Sequence, residues 1–156
     1  MATSDGISTK DWDIVHELSL NLFNTVDTEE ELNSRKRLMD YLDNLEVEYG
    51  QLPGILATRA DFIVDVERKK YLLLHAYALA ETRGDQCNQL EIAHSLSEIY
   101  IEDFRDAKEG TKWLDCFSKH VVQRGNLSDD KEEYELLLKT LEKLKVQSGL
   151  YNGPEN

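Results

Sequence analysis

Apolar residues recur along this chain every three or four positions, with polar residues between them, which is the signature of amphipathic helices. Trp12, Val15, Leu18 and Leu22 mark one face of a first helix. Ser8 with Asp11 supplies its N-cap, Ile7 and Trp12 sit at the staple positions, and the helix should run to about Thr25. Thr28 and Glu31 form a T-x-x-E capping box for a second helix, which runs to about Tyr49 along Leu32, Leu38, Met39, Leu42, Leu45 and Tyr49. Gly50, Pro53 and Gly54 end it. A third helical stretch covers about 52–83, as one bent helix or as two. Within it Tyr71–Ala80 is apolar on nearly every face, which places it in the middle of the domain.

Gly84 stops that stretch and Asp85 caps a fourth helix carrying Leu90, Ala93, Leu96, Tyr100 and Ile101. Asp106 with Glu109 starts a fifth, with Trp113, Leu114, Phe117 and Val121 inward, and Gly125 ends it. Ser128 opens the last helix, whose stripe is Tyr134, Leu137, Leu138, Leu141 and Leu144. No window alternates with the period of a strand. The expectation is an all-α protein of about six antiparallel helices in a short α-solenoid or irregular bundle. Residues 1–7 read as a disordered N-terminus, 8–148 as one domain and 149–156 as a flexible tail.

From the third helix onward the turns fall near residues 84, 104 and 125, and helices of similar length with short connections stack as antiparallel pairs. Over about residues 90–114, Leu96, Tyr100, Phe104, Ala107 and Leu114 match the packing positions of a tetratricopeptide repeat once one residue is skipped at the turn, with Ser97 at a small-residue position. The segment thus loosely resembles that helical-repeat family, although the helix pair spans about 41 residues against the family's 34 and no proline closes it. The resemblance implies protein binding on a helical surface.

Charge changes the picture of partners. The 156 residues carry 31 acidic and 18 basic side chains, a formal net charge of −13. Residues 1–50 hold twelve acids against four bases, a net of −8, so most of the field originates there. Such a surface repels nucleic acid and anionic lipid and attracts basic proteins or cations. The basic triplets Arg35-Lys36-Arg37 and Arg68-Lys69-Lys70 sit amid acids and read as ion-pair partners, so no nucleic acid or membrane is expected to bind directly. No stretch approaches eighteen consecutive apolar residues, the first residues lack the basic and apolar regions of a signal peptide, and Cys87 and Cys116 read as free thiols. These features point to the cytoplasm.

Catalytic signals are sparse. Glu91 and His94 form a Glu-x-x-His spacing with Glu98 one turn on, the pair that di-iron helical bundles project inward, and Asp13 with His16 is the nearest candidate for a second half. Cys116 and His120 lie four apart on one helix and can touch. No nucleophile elbow or phosphate-binding glycine motif occurs. His75, in the apolar central run, reads as a hydrogen-bonded core residue. No cofactor is expected.

The main expectation is a non-enzymatic, protein-binding module. Its contact surface is placed on the second helix, at Glu29, Glu30, Asp40, Asp43, Glu46 and Glu48, with Tyr41, Tyr49 and Tyr151 as anchors. In small size, acidity and lack of catalytic motifs the chain is similar to bacterial immunity proteins, which block nuclease toxins. That likeness implies an acidic inhibitor masking the active site or basic surface of its partner. A helical-repeat adaptor or co-chaperone and a metal-dependent bundle enzyme built on Glu91 and His94 are the alternatives.

Overall fold

The computed structural model describes residues 2–149. They form seven α-helices and no β-strand: α1 (Thr9–Thr25), α2 (Glu31–Tyr49), α3 (Pro53–Asp61), α4 (Val66–Arg83), α5 (Gln86–Glu98), α6 (Ala107–Gln123) and α7 (Ser128–Gln147), with a π-turn over Ile99–Asp103 after α5. None of these helices is long and apolar enough to cross a membrane. Each helix packs chiefly on its neighbours in sequence, α1 on α2, α3 on α4, α4 on α5, α5 on α6 and α6 on α7. Short connections leave little room for any other arrangement.

Several boundaries follow from caps visible in the sequence. Ser8, Asp85 and Asp106 accept hydrogen bonds from the first-turn amides of α1, α5 and α6. Gly84 ends α4 in the left-handed conformation. The stretch 52–83 is two helices: α3 stops at Asp61, and Asp65 caps α4 by accepting from the Arg68 amide. That split is why there are seven helices where about six were expected. The Thr28 capping box is shifted as well. Glu31 accepts from the Asp27 amide and Thr28 Oγ1 from the Glu30 amide, so the T-x-x-E segment forms a turn and α2 begins only at Glu31.

Two apolar clusters result. Ile7, Val15, Leu22, Leu38, Leu42, Leu45, Leu52 and Ile55 form one, between α1, α2 and the start of α3. Leu56 and Ala60, farther along α3, belong to the second, which runs through α4–α7 and includes Tyr100, Trp113, Leu114 and Phe117. α3 is the shared wall, with Ile55 and Leu56 facing different cores. Leu32, expected in the α2 stripe, is 78% exposed, and Ser34 is buried in its stead. His75, expected in the core, is exposed.

The expected disordered N-terminus is also corrected. Residues 3–8 fold back on the domain, with Ile7 and Asp5 buried. Asp5 Oδ2 accepts from the Gly54 amide at 2.7 Å, in the first turn of α3, where Pro53 and the N-cap Leu52 offer no side-chain acceptor. A Cβ on Gly54 would lie 2.7 Å from that oxygen, so the cap requires glycine. Arg83 and Asn88 hold Asp5 O and Ser4 Oγ from the far side, tying the segment to α4 and α5. Tyr151 and all but the first residue of the expected tail 149–156 lie outside the described residues.

Candidate functional site

The expected contact residues divide into two groups, with Glu29 and Glu30 lying in the turn before α2. Asp40 pairs with Lys36 at 2.6 Å, and Asp43 and Glu46 both hold Arg59 of α3, at 2.6 and 3.0 Å. Arg59 is largely buried, so these two carboxylates hold α2 against α3, and its single positive charge offsets one of their two negative charges. Glu29, Glu30 and Glu48 are exposed and make no ion pair among the described residues.

Tyr41 and Tyr49 are half-buried and hydrogen-bonded within the chain. Both phenols donate to Asp11 of α1, at 2.9 and 2.6 Å, and the Ser8 hydroxyl donates to the same carboxylate at 2.7 Å. These donors, Tyr49 first, hold the Asp11 carboxyl below its ordinary range. Burial, reinforced by Asp11, pushes the Tyr41 phenol up to about 12. The tyrosines therefore lock α1 to α2. Sequence spacing could not reveal this, because Asp11 lies 30 and 38 residues away.

A second polar cluster joins α4 to α6. Tyr77 Oη lies 3.0 Å from Cys116 Sγ and 3.1 Å from His120 Nε2, with the Tyr77 ring edge-on to Trp113 at 4.9 Å. Cys116 and His120 do approach one place, as their i, i+4 spacing suggested, but Tyr77 sits between them. Burial pushes the Tyr77 phenol up and the His120 imidazole down. The three groups form a packed polar joint between α4 and α6. Cys87 is exposed, and both cysteines are free thiols.

The third cluster lies between α5 and α7. His94 Nε2 is 2.9 Å from Glu133 Oε2 and 3.8 Å from Glu98 Oε1. Its ring packs on Phe117 at 5.0 Å. Burial and the neighbouring Glu102 and Glu133 charges push the Glu98 carboxyl up, against the pull of His94. Glu91, the expected partner of His94, pairs with Arg124 at 3.5 Å, at the edge of the same cleft. Asp13 and His16 are exposed on α1, in the other half of the molecule, so no second Glu-x-x-His half faces this one. Glu133 is the residue that sequence reasoning missed; it comes from another helix, and no local spacing announces it.

No family model, no curated protein and no solved structure matches this chain.

The terminal helix α1 carries a further feature. Its outer face is covered by no other described helix, and it exposes Leu20, Phe23 (72%) and, just past its end, Val26. Leu20 and Phe23 lie one turn apart on one face. Leu32 opens α2 across the connecting turn, and exposed Glu17, Glu29 and Glu30 flank the group in sequence.

Proposed function

We propose that this chain is a non-enzymatic protein-binding module, an acidic inhibitor of the immunity or antitoxin type that masks a basic surface of its partner. The observation that carries this reading is the exposed Phe23 with Leu20, Val26 and Leu32, apolar anchors bordered by unpaired acids in the most negative third of the chain. Aromatic and aliphatic anchors supply affinity once desolvated, while the surrounding carboxylates speed encounter with a basic partner. The contact surface thus moves from the middle of α2 to the α1–α2 turn. Glu29 and Glu30 stay in it, whereas Asp43 and Glu46 are engaged by Arg59.

The test is capture of partners from source-cell lysate, followed by affinity measurement on the captured protein with wild type, Phe23→Asp and Glu29→Lys/Glu30→Lys. A basic partner is expected, bound more weakly as salt rises. Phe23→Asp should weaken it by more than about tenfold, since a central aromatic anchor contributes roughly 2 kcal/mol or more. An acidic partner, or equal affinity in all three proteins, would refute the reading.

One observation favours a helical-repeat adaptor as the second reading. The residue that a tetratricopeptide register must skip between Leu96 and Ala107 falls where the backbone widens, with the Phe104 amide bonded to Ile99 O, five residues back. A π-turn absorbs one extra residue without breaking the helix. Under this reading a peptide would lie against Tyr71, Leu72 and His75 of α4, and Tyr71→Ala, rather than Phe23→Asp, would abolish capture.

A further inference from the structure

We propose that His94, Glu98 and Glu133 form a binding site for one divalent metal ion of the zinc class, bridging α5 and α7. The three side chains offer one imidazole nitrogen and two carboxylate oxygens, all within 4.8 Å of one another. In a coordination sphere with ligand bonds of about 2.1 Å, neighbouring donor atoms stand roughly 3.0–3.4 Å apart. The 2.9 Å and 3.8 Å separations bracket that range. Both glutamates are partly exposed, and small rotations bring their oxygens to it.

The geometry of His94 is the independent observation. Nε2 is shielded from solvent and makes no hydrogen bond, although Glu133 Oε2 is only 2.9 Å away. The oxygen therefore lies off the in-plane axis along which Nε2 donates or accepts. Two donors of one metal ion stand in that relation: the axis points at the ion, and the neighbouring ligand lies about 35–45° to the side. A simple imidazolium–carboxylate pair would align on the axis instead.

The surroundings favour a cation. Asp129 and Asp130 of the α7 first turn and Glu133 of its second line a cavity of about 130 Å³ with Leu90, Glu91, His94 and Phe117. Asp130 Oδ2 is buried there without a hydrogen bond, 3.8 Å from Arg124 Nε. Two glutamates converge on a single imidazole, which can neutralise at most one of them, and a divalent ion would neutralise both. An imidazole donor selects zinc, cobalt or nickel over magnesium and calcium, which prefer all-oxygen sites. Three protein ligands leave one tetrahedral position for water or a carboxylate of the bound partner.

The experiment is calorimetric titration of the chelator-stripped full chain with Zn²⁺, repeated with Co²⁺ to read the visible absorption of the bound ion. One equivalent of Zn²⁺ is expected to bind and to raise the melting temperature. His94→Gln and Glu133→Gln should each weaken binding by more than about tenfold, since even residues that merely support a ligand cost that much. Glu91→Gln should bind as wild type. Melting curves in chelator show whether the variants are folded, and Glu98→Gln, which should likewise weaken binding, serves if His94→Gln is not. The proposal fails if no saturable binding occurs. It fails equally if His94→Gln and Glu133→Gln bind as wild type, or if Glu91→Gln loses binding to the same extent.

Discussion

Around α1 and α2 the buried apolar side chains are aliphatic, and charged and phenolic groups finish the closure: Asp11 under Tyr41 and Tyr49, Arg59 between Asp43 and Glu46, Asp5 on the α3 amide. From α4 to α7 the interior instead holds Tyr100, Trp113 and Phe117 among its leucines, and the ordered polar groups sit inside or beside that packing, as Tyr77–Cys116–His120 and His94–Glu133. An aromatic core buries much apolar area per residue, enough to carry buried polar atoms such as His94 Nε2 and Asp130 Oδ2 that make no hydrogen bond among the described residues. A two-helix layer has too little apolar area for that, so its acids are spent on holding helices in place. Much of the negative charge in the first third of the chain therefore serves the fold, and only part of it remains for a partner.

The largest test of this contrast uses one core residue from each region. Phe117→Ala should cost about 3–5 kcal/mol and Leu38→Ala about 2–5 kcal/mol, read by urea unfolding. Hydrogen exchange then locates the damage. Leu38→Ala should release the amides of α1 and α2 while α5 and α6 stay protected, whereas Phe117→Ala should release both regions, because α1 and α2 rest on α3. Equal loss of protection in α6 from Leu38→Ala would mean one cooperative unit and would erase the distinction.

A smaller effect sharpens it. Asp5→Ala leaves the buried Gly54 amide without its acceptor and should cost about 1–3 kcal/mol, with faster exchange at the first turn of α3 and along residues 3–8. An unchanged melting temperature would show that the N-terminal segment does not contribute to stability.

The smallest is a pH effect on the α1–α2 lock, clearest on its acid side. A carboxyl held below its ordinary value of 3.8 stabilises the fold above that pH, and the contribution is lost as pH falls through the lowered value. A phenol raised from 10.0 to about 12 stabilises below 10 and loses its contribution as pH climbs towards 12. Exchange in α1 and α2 should therefore rise at the acid extreme before α6 responds, whereas at the alkaline extreme both regions lose protection, because burial also raises the Tyr77 phenol that joins α4 to α6. Asp11→Asn should remove the acid arm, and an acid arm unchanged in that variant would assign the effect to other carboxyls.

The chain's own sequence determined what depends on neighbours within a turn or two. Ser8, Asp85 and Asp106 cap because an Asp or Ser oxygen reaches an amide two or three residues ahead. Gly84 ends α4 because glycine enters the left-handed region without strain. The stripes Leu38–Leu42–Leu45 and Leu137–Leu141–Leu144 followed from helical periodicity alone. Tertiary structure decided what each polar side chain faces. Glu91 and Glu98 stand at similar spacings from His94, yet one turns to Arg124 and the other converges with Glu133 from α7. Tyr41 and Tyr49 are indistinguishable in sequence from exposed anchors until α1 brings Asp11 beneath them. Helix periodicity fixes which face is apolar, but a charge or a phenol takes its role from whichever helix packs opposite, and that partner is set by the whole chain.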